Sequence, residues 1–190
     1  PMHAEAAFSH DKLRLLDADN WRTKKAIAPA AGMTGMGIHL TDLFIWMFGK
    51  VTSVQAMVSD RTLGWETGDV VTAQLRFESG MTATLSAILN TPHFMRLHVF
   101  GSDAWAEVRN DTHPDTPGGV SRLLLSNGGQ PLNEQIIDWT DTVETNLRAF
   151  GSAIRGESTY PYSAFELEHN VEVLEAIAQS ADSNQTVFIN

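Results

Sequence analysis

The sequence predicts an α+β domain: an open, mostly antiparallel (mixed) sheet with helices packed on one face. Three observations predict it. Gly32–Gly49 carries apolar residues at helical spacing. Residues 51–108 hold successive segments that alternate apolar and polar residues, divided by turns. Two more helical segments and a short terminal strand close the chain. One helix, a block of strands and then two helices does not alternate as a parallel α/β sheet would.

At 190 residues with 43% hydrophobic and 19% charged content, the chain is expected to form one domain, 1–190. Its net charge of −10 argues against nucleic acid or an anionic membrane surface as partner. No apolar run approaches the ~20 residues of a membrane-spanning helix. There is no cysteine, hence no disulfide framework and no thiol nucleophile, which fits a cytoplasmic location.

Met2–Ser9 alternates weakly and reads as a strand. His10–Ala31 reads as a short helical piece followed by a loop, with Asn20, Trp21 and Arg22 just ahead of the central helix. That helix spans Gly32 to Gly49, with Met33, Met36, Leu40, Leu43, Phe44 and Met47 as its apolar face and Gly49 as its stop. Three glycines near its start are unexpected, since each costs ~1 kcal/mol against alanine inside a helix. They suit close approach of a ligand to the free N–H groups of a helix N-terminus. Gly35, His39, Asp42 and Trp46 fall on one strip beside the apolar face, so His39 and Asp42 are placed to act at one spot.

Strands follow at Val51–Asp60, residues 70–77, 81–89, 94–100 and Ala104–Val108, with turns at Glu78–Gly80 and Gly101–Asp103. One sheet face is uniformly apolar and needs a cover. The other mixes Thr, Gln, Arg and Ser with Ile88, Phe94, Phe100 and Trp105, the pattern of a flat subunit interface. Asn110–Gly119 is a loop. Ser121–Ser126 and Leu132–Trp139 are further strands. Asp141–Arg155 is a helix with Leu147, Phe150 and Ile154 on its apolar face. Ser163–Asp182 is the last helix, with Phe165, Val171, Leu174, Ile177 and Ala178 inward, and Thr186–Ile189 is a final strand.

Familiar catalytic motifs are missing. There is no Gly-x-Gly-x-x-Gly after a strand, no phosphate loop, no Gly-x-Ser-x-Gly elbow and no His-Glu-x-x-His. His10, His93, His98 and His113 lack the paired spacing of metal ligands. His39 is a candidate general acid/base. Trp21 is suited to stack on a sugar ring and Arg22 to bind a hydroxyl or carboxylate. His169, read as lying on a different face from Leu174 and Ile177, is a candidate to approach the pocket from across the domain.

Four segments resemble one family in its own order. Gly37-Ile38-His39-Leu40-Thr41-Asp42, set between glycines, resembles the Gly-x-His-x-x-Asp segment of the glucose–fructose oxidoreductase/inositol dehydrogenase (Gfo/Idh/MocA) family. Phe77–Ala83, Val99–Glu107 and Glu172–Ala181 resemble its hairpin, its following strand turn and its C-terminal helix. The resemblance covers most of the chain and is confined to that family's C-terminal domain, which implies a separate N-terminal Rossmann domain, absent from this chain, that binds NAD or NADP and supplies a catalytic lysine. It implies that His39 is the catalytic residue beside the substrate carbon, with Trp21, Arg22, Gly35, Asp42 and His169 as substrate-binding candidates. It implies a sugar- or polyol-like small-molecule substrate and homo-oligomers assembled through the mixed sheet face. Many polyol dehydrogenases of the family carry Asp where this chain has Gly35. That departure keeps open a second reading, a non-catalytic binding or assembly module of the same fold.

Overall fold

A computed structural model describes all of residues 1–190. Nine strands form one mixed sheet: β1 His3–Ser9, β2 Val51–Ser59, β3 Val70–Phe77, β4 Thr82–Ile88, β5 Phe94–Phe100, β6 Ala104–Asn110, β7 Val120–Asn127, β8 Asn133–Asp138 and β9 Val187–Phe188. Their order across the sheet is β8-β7-β6-β5-β1-β4-β3-β2-β9. All pairings are antiparallel except β1 with β4, which are parallel. The first strand thus lies mid-sheet, between β4 and β5. Three helices complete the fold: α1 Gly37–Phe48, α2 Thr142–Ile154 and α3 Ala164–Ser183.

The predicted fold class and the expected strands are present. Alternation decides which face is buried. Val71, Ala73, Leu75 and Phe77 of β3 and Ala83, Leu85, Ala87 and Leu89 along β4 point to the helices, while Thr72, Gln74 and Arg76 point away. α1 contributes Leu40, Phe44 and Ile45, and α3 contributes Val173, Ala176 and Ile177 to the same core.

Three expectations change. His10–Ala31 has no α-helix, only turns, a 3₁₀ turn at Trp21–Thr23 and the first residue of a second at Ala31–Met33. The central helix begins at Gly37 rather than Gly32: Ala30 and Ala31 take left-handed backbone angles (φ 58° and 50°), a 3₁₀ turn follows at Ala31–Met33, and Met36 at φ −133° breaks the helical path just ahead of Gly37. Met33 and Met36 are buried as predicted, but from the turns before the helix; Met47 is 40% exposed, and Thr41 and Ile45 take the inward places.

α3 is rolled relative to its expected orientation. Phe165 and Val171 are exposed, while His169, Asn170, Val173, Ala176, Ile177 and Ser180 are buried. The cause is the edge of the sheet. β9 pairs with β2 only at Ser53 and Val54, leaving other β2 amides without strand partners. α3 supplies side-chain acceptors instead: the Val51 N–H donates to His169 Nε2 at 2.9 Å and the Ala56 N–H to Ser180 Oγ at 2.9 Å. The capping box at Ser163 and Glu166 fixes where α3 begins. Thr41 of α1 donates its hydroxyl to Asn170 Oδ1, tying the two core helices together.

α2 is capped by Asp141, whose side chain accepts from the Glu144 N–H. Its predicted stripe of Leu147, Phe150 and Ile154 exists, joined by Val143, but all four face solvent. No helix is long and apolar enough to cross a membrane.

Candidate active site

The turns ahead of α1 are pinned from the β2–β3 connection. The Thr67 hydroxyl donates to the Ala28 carbonyl, and both the Thr67 hydroxyl and carbonyl accept from the Ala31 N–H, at 3.0 and 2.8 Å. These bonds hold the two left-handed alanines, each costing on the order of 1 kcal/mol or more in that conformation. The connection itself is tied by Asp69, whose carboxylate accepts from the N–H groups of Arg61, Thr62 and Leu63 and from the Thr62 hydroxyl. Burial alone would raise the Asp69 pKa, but those donors hold it below the ordinary carboxylate value.

The three glycines do different jobs. A Cβ on Gly37 would strike the side chain of Met33, and one on Gly32 would come within 2.9 Å of Met36 Cε and 3.0 Å of Ala87 Cβ. Both are small so that buried methionines can fit. Only Gly35 is open, with nothing within 4 Å of a Cβ position. The glycine-rich helix start is therefore mainly a packing device, and the ligand-approach reading survives at Gly35 alone.

Gly35 lines a cleft of ≈ 70 Å³ together with Trp21 and Arg22, walled by Leu13, Trp65 and Leu89. The Arg22 guanidinium stacks 4.2 Å from the Trp21 ring centroid. Asn20 caps this turn by accepting from the Arg22 N–H. Gly35 lies in the turn ahead of α1, which carries exposed His39 and Trp46 and half-buried Asp42. Burial pushes the Asp42 carboxyl above its ordinary value; the nearby His39 pulls it down and Glu166 pushes it up again. Trp21, Arg22 and Gly35 share the cleft, His39 and Asp42 follow on α1, and His39 faces Phe8 of β1 with ring centroids 6.3 Å apart.

His169 does not join them. It is 1% exposed, accepts from Val51 through Nε2 and pairs through Nδ1 with Glu172 at 2.8 Å. It shares the buried face with Ile177, so the expected approach to the pocket is not met. Its Nε2 holds α3 to β2, and its Nδ1 is taken by Glu172 within α3.

Three of the histidines that lack metal-ligand spacing in the sequence come together nearby. His10, His93 and His113 surround Phe8, with His10 and His93 at 5.3 and 5.7 Å from His113. The register explains it: Ser9 of β1 pairs with Phe94 of β5, so His10 and His93 flank the same end of that ladder. His113 arrives on the β6–β7 loop, held by the Trp139 Nε1–H donating to the Pro114 carbonyl. No set of three His, Asp or Glu side chains is arranged to hold a metal ion. Two hollows of ≈ 290 and ≈ 400 Å³ lie on the outer sheet face among Gln55, Gln74 and Thr84, and His39 lines neither.

The profile of the GFO/IDH/MocA C-terminal domain matches residues 1–107. Among solved structures, a protein of Desulfitobacterium hafniense assigned as an NADPH-dependent oxidoreductase superposes with a TM-score of 0.85 at 22% identity, covering 98% of this chain and 56% of that one. Aldose-aldose oxidoreductase of Caulobacter crescentus, complexed with glycerol, gives 0.80 at 19% identity, covering 99% of this chain and 55% of that one. A levoglucosan dehydrogenase complexed with NADH and levoglucosan gives 0.73 at 17%, covering 99% and 58%. At such identities the likeness establishes the fold, and the chain spans little more than half the length of each neighbour. No curated protein matches the sequence.

Proposed function

The chain belongs to the GFO/IDH/MocA C-terminal domain family, and on that premise we propose that it is the substrate-binding half of an NAD(P)-dependent oxidoreductase acting on a sugar, polyol or related hydroxy compound. The observation that carries this reading is the cleft lined by Trp21, Arg22 and Gly35, with the exposed His39 one turn further along the chain on the first turn of α1. Sugar-active neighbours of the same fold, the levoglucosan dehydrogenase among them, support the substrate class.

The glycine fingerprint of a dinucleotide-binding turn is missing from the sequence, and the space beside Gly32 and Gly37 is taken by Met33, Met36 and Ala87. In this proposal NAD or NADP is held outside this chain, by an N-terminal Rossmann domain, and supplies hydride exchange. The proton side of the reaction falls to this chain. Trp21 offers an apolar face to a sugar ring and Arg22 a fork of donors to its oxygens. His39, exposed on the first turn of α1, takes the proton of the hydroxyl being oxidised and returns it in reduction. Asp42, three residues on along the same helix, orients that ring.

The outer sheet face is the proposed homo-oligomer surface. It presents half-buried Phe94, Phe100 and Trp105 and a 69% exposed Met57 around Glu5, Arg96 and Glu107. The second reading, a non-catalytic module, is favoured by Gly35 standing where the family's polyol dehydrogenases carry Asp. The test is the intact gene product incubated with NAD⁺ or NADP⁺ and a panel of sugars and polyols, wild type beside His39→Ala. Turnover in the wild type and its loss in the variant support the enzyme. No turnover with any substrate supports the module.

A further inference from the structure

We propose that His10, His93 and His113 form a subsite for an anionic oxygen group, a carboxylate or phosphate carried by the substrate. The inference rests on the substrate-side reading above and adds the charge of what is bound.

The hydrogen bonds fix the tautomers. The Lys12 N–H donates to His10 Nδ1 at 3.2 Å, so neutral His10 carries its proton on Nε2. The Asp115 N–H donates to His113 Nδ1 at 3.2 Å, which places the proton of neutral His113 on Nε2; the exposed Asp115 carboxylate lies 3.3 Å from the same Nδ1. Both rings therefore turn a donor away from the backbone that holds them. His93 has two buried ring nitrogens and no hydrogen-bond partner for either. The Asn110 and Thr112 carbonyls near it favour a charged ring without bonding it. Buried polar atoms left unpaired in a folded chain call for a partner. The three neutral rings together offer three N–H donors and one acceptor, an excess that matches an oxygen anion better than a hydroxyl, which needs donor and acceptor in balance.

The surrounding charges agree. Burial first and the Lys12 ammonium second lower the pKa of all three rings, so they stand neutral in the free protein. Asp11 and Asp115 oppose this at His10 and His113 respectively, but Asp11 is paired with Arg14 at 3.3 Å and the Asp115 side chain is 74% exposed. His39 faces the group across Phe8. An anion arriving among the rings would reverse the penalty on protonation and draw a proton onto the cluster. The subsite thus lies one phenylalanine away from the proposed base.

The test is ¹⁵N–¹H NMR of the histidine rings in the intact gene product, titrated with gluconate, with glucose 6-phosphate and with uncharged glucitol. We expect gluconate or the phosphate to shift the His10, His93 and His113 nitrogens toward the protonated form, and to do so at lower concentration than glucitol shifts any of them. Whichever anion acts at lower concentration identifies the group. His93→Phe, which keeps the ring volume, should weaken that anion's binding by about 10- to 100-fold. His93→Gln is the second variant should the first fold poorly. Equal response to glucitol, or no response of the trio to either anion, overturns the subsite. Turnover of uncharged polyols without an anion response fails the subsite and leaves the enzyme reading standing; an anion response without dehydrogenase turnover does the reverse.

Discussion

Replacing His169 by alanine separates a structural histidine from a site histidine. The ring is 1% exposed and accepts the N–H of Val51, itself wholly buried. Truncation leaves that N–H without a partner, at a cost of about 1–3 kcal/mol. It also removes a buried ring from between α3 and β2; large-to-small changes of this kind cost about 2–5 kcal/mol. The lower end applies here, because Phe165, stacked on the ring at 5.2 Å and half exposed, can settle into part of the space. The partly exposed Glu172 contact adds at most about 1 kcal/mol. The sum is about 3–5 kcal/mol, a fall in Tm of roughly 10 °C for a chain of this size. Urea unfolding followed by circular dichroism measures it, and hydrogen exchange at the Val51 amide localises it. His169→Gln, whose side-chain oxygen can accept from Val51, should recover more than half of the loss. A His169→Ala destabilisation below about 1 kcal/mol with a changed KM would refute the reasoning and return His169 to the substrate site.

The other predictions are as follows. Asp69→Ala strips the acceptor from three backbone N–H groups and should cost about 3 kcal/mol by urea unfolding. Because the folded pKa of Asp69 is lowered, its contribution is present above the unfolded carboxylate pKa and is lost as pH falls through the folded value; Asp69→Asn should flatten that acid loss in a Tm-versus-pH series. Asp42 has the opposite sign: its raised folded pKa means a cost that is full at neutral pH and disappears in acid. Asp42→Asn should therefore raise Tm by up to about 2 °C near neutrality and leave it unchanged below the unfolded carboxylate pKa. Gly37→Ala should cost about 1–3 kcal/mol by overpacking against Met33, while Gly35→Ala and Gly35→Asp should fold as well as the wild type, as calorimetry would show.

The sheet was legible because half-buried strands must alternate: β3 and β4 could be read residue by residue, and their turn at Glu78–Gly80 follows from Gly80 at φ 85°. α3 was misjudged because its inward face is marked by polar side chains. His169, Asn170 and Ser180 are buried since strand-edge amides and α1 need acceptors, a demand that apolar periodicity does not register. Yet His169, Val173, Ile177 and Ser180 recur at helical spacing, a signal present in the sequence. The stripe on α2 was real, but burial is a tertiary outcome and these residues leave it uncovered. At the site, Gly35 lies in the turn ahead of α1, whereas His39 and Asp42 were legible as neighbours on that one helix. The histidine trio was not, because only the antiparallel register of β1 with β5 and the path of the β6–β7 loop bring distant segments around Phe8.

The central claim is that His39 handles the proton of a hydroxyl whose carbon exchanges hydride with NAD(P). The most direct measurement is steady-state formation of reduced nicotinamide by the intact gene product on its best sugar or polyol, compared with His39→Ala over a pH series. The account predicts that the variant keeps its fold and a KM close to wild type while kcat falls about 10²- to 10⁴-fold and the pH dependence assigned to the base disappears. An unchanged kcat with an unchanged pH profile would contradict it.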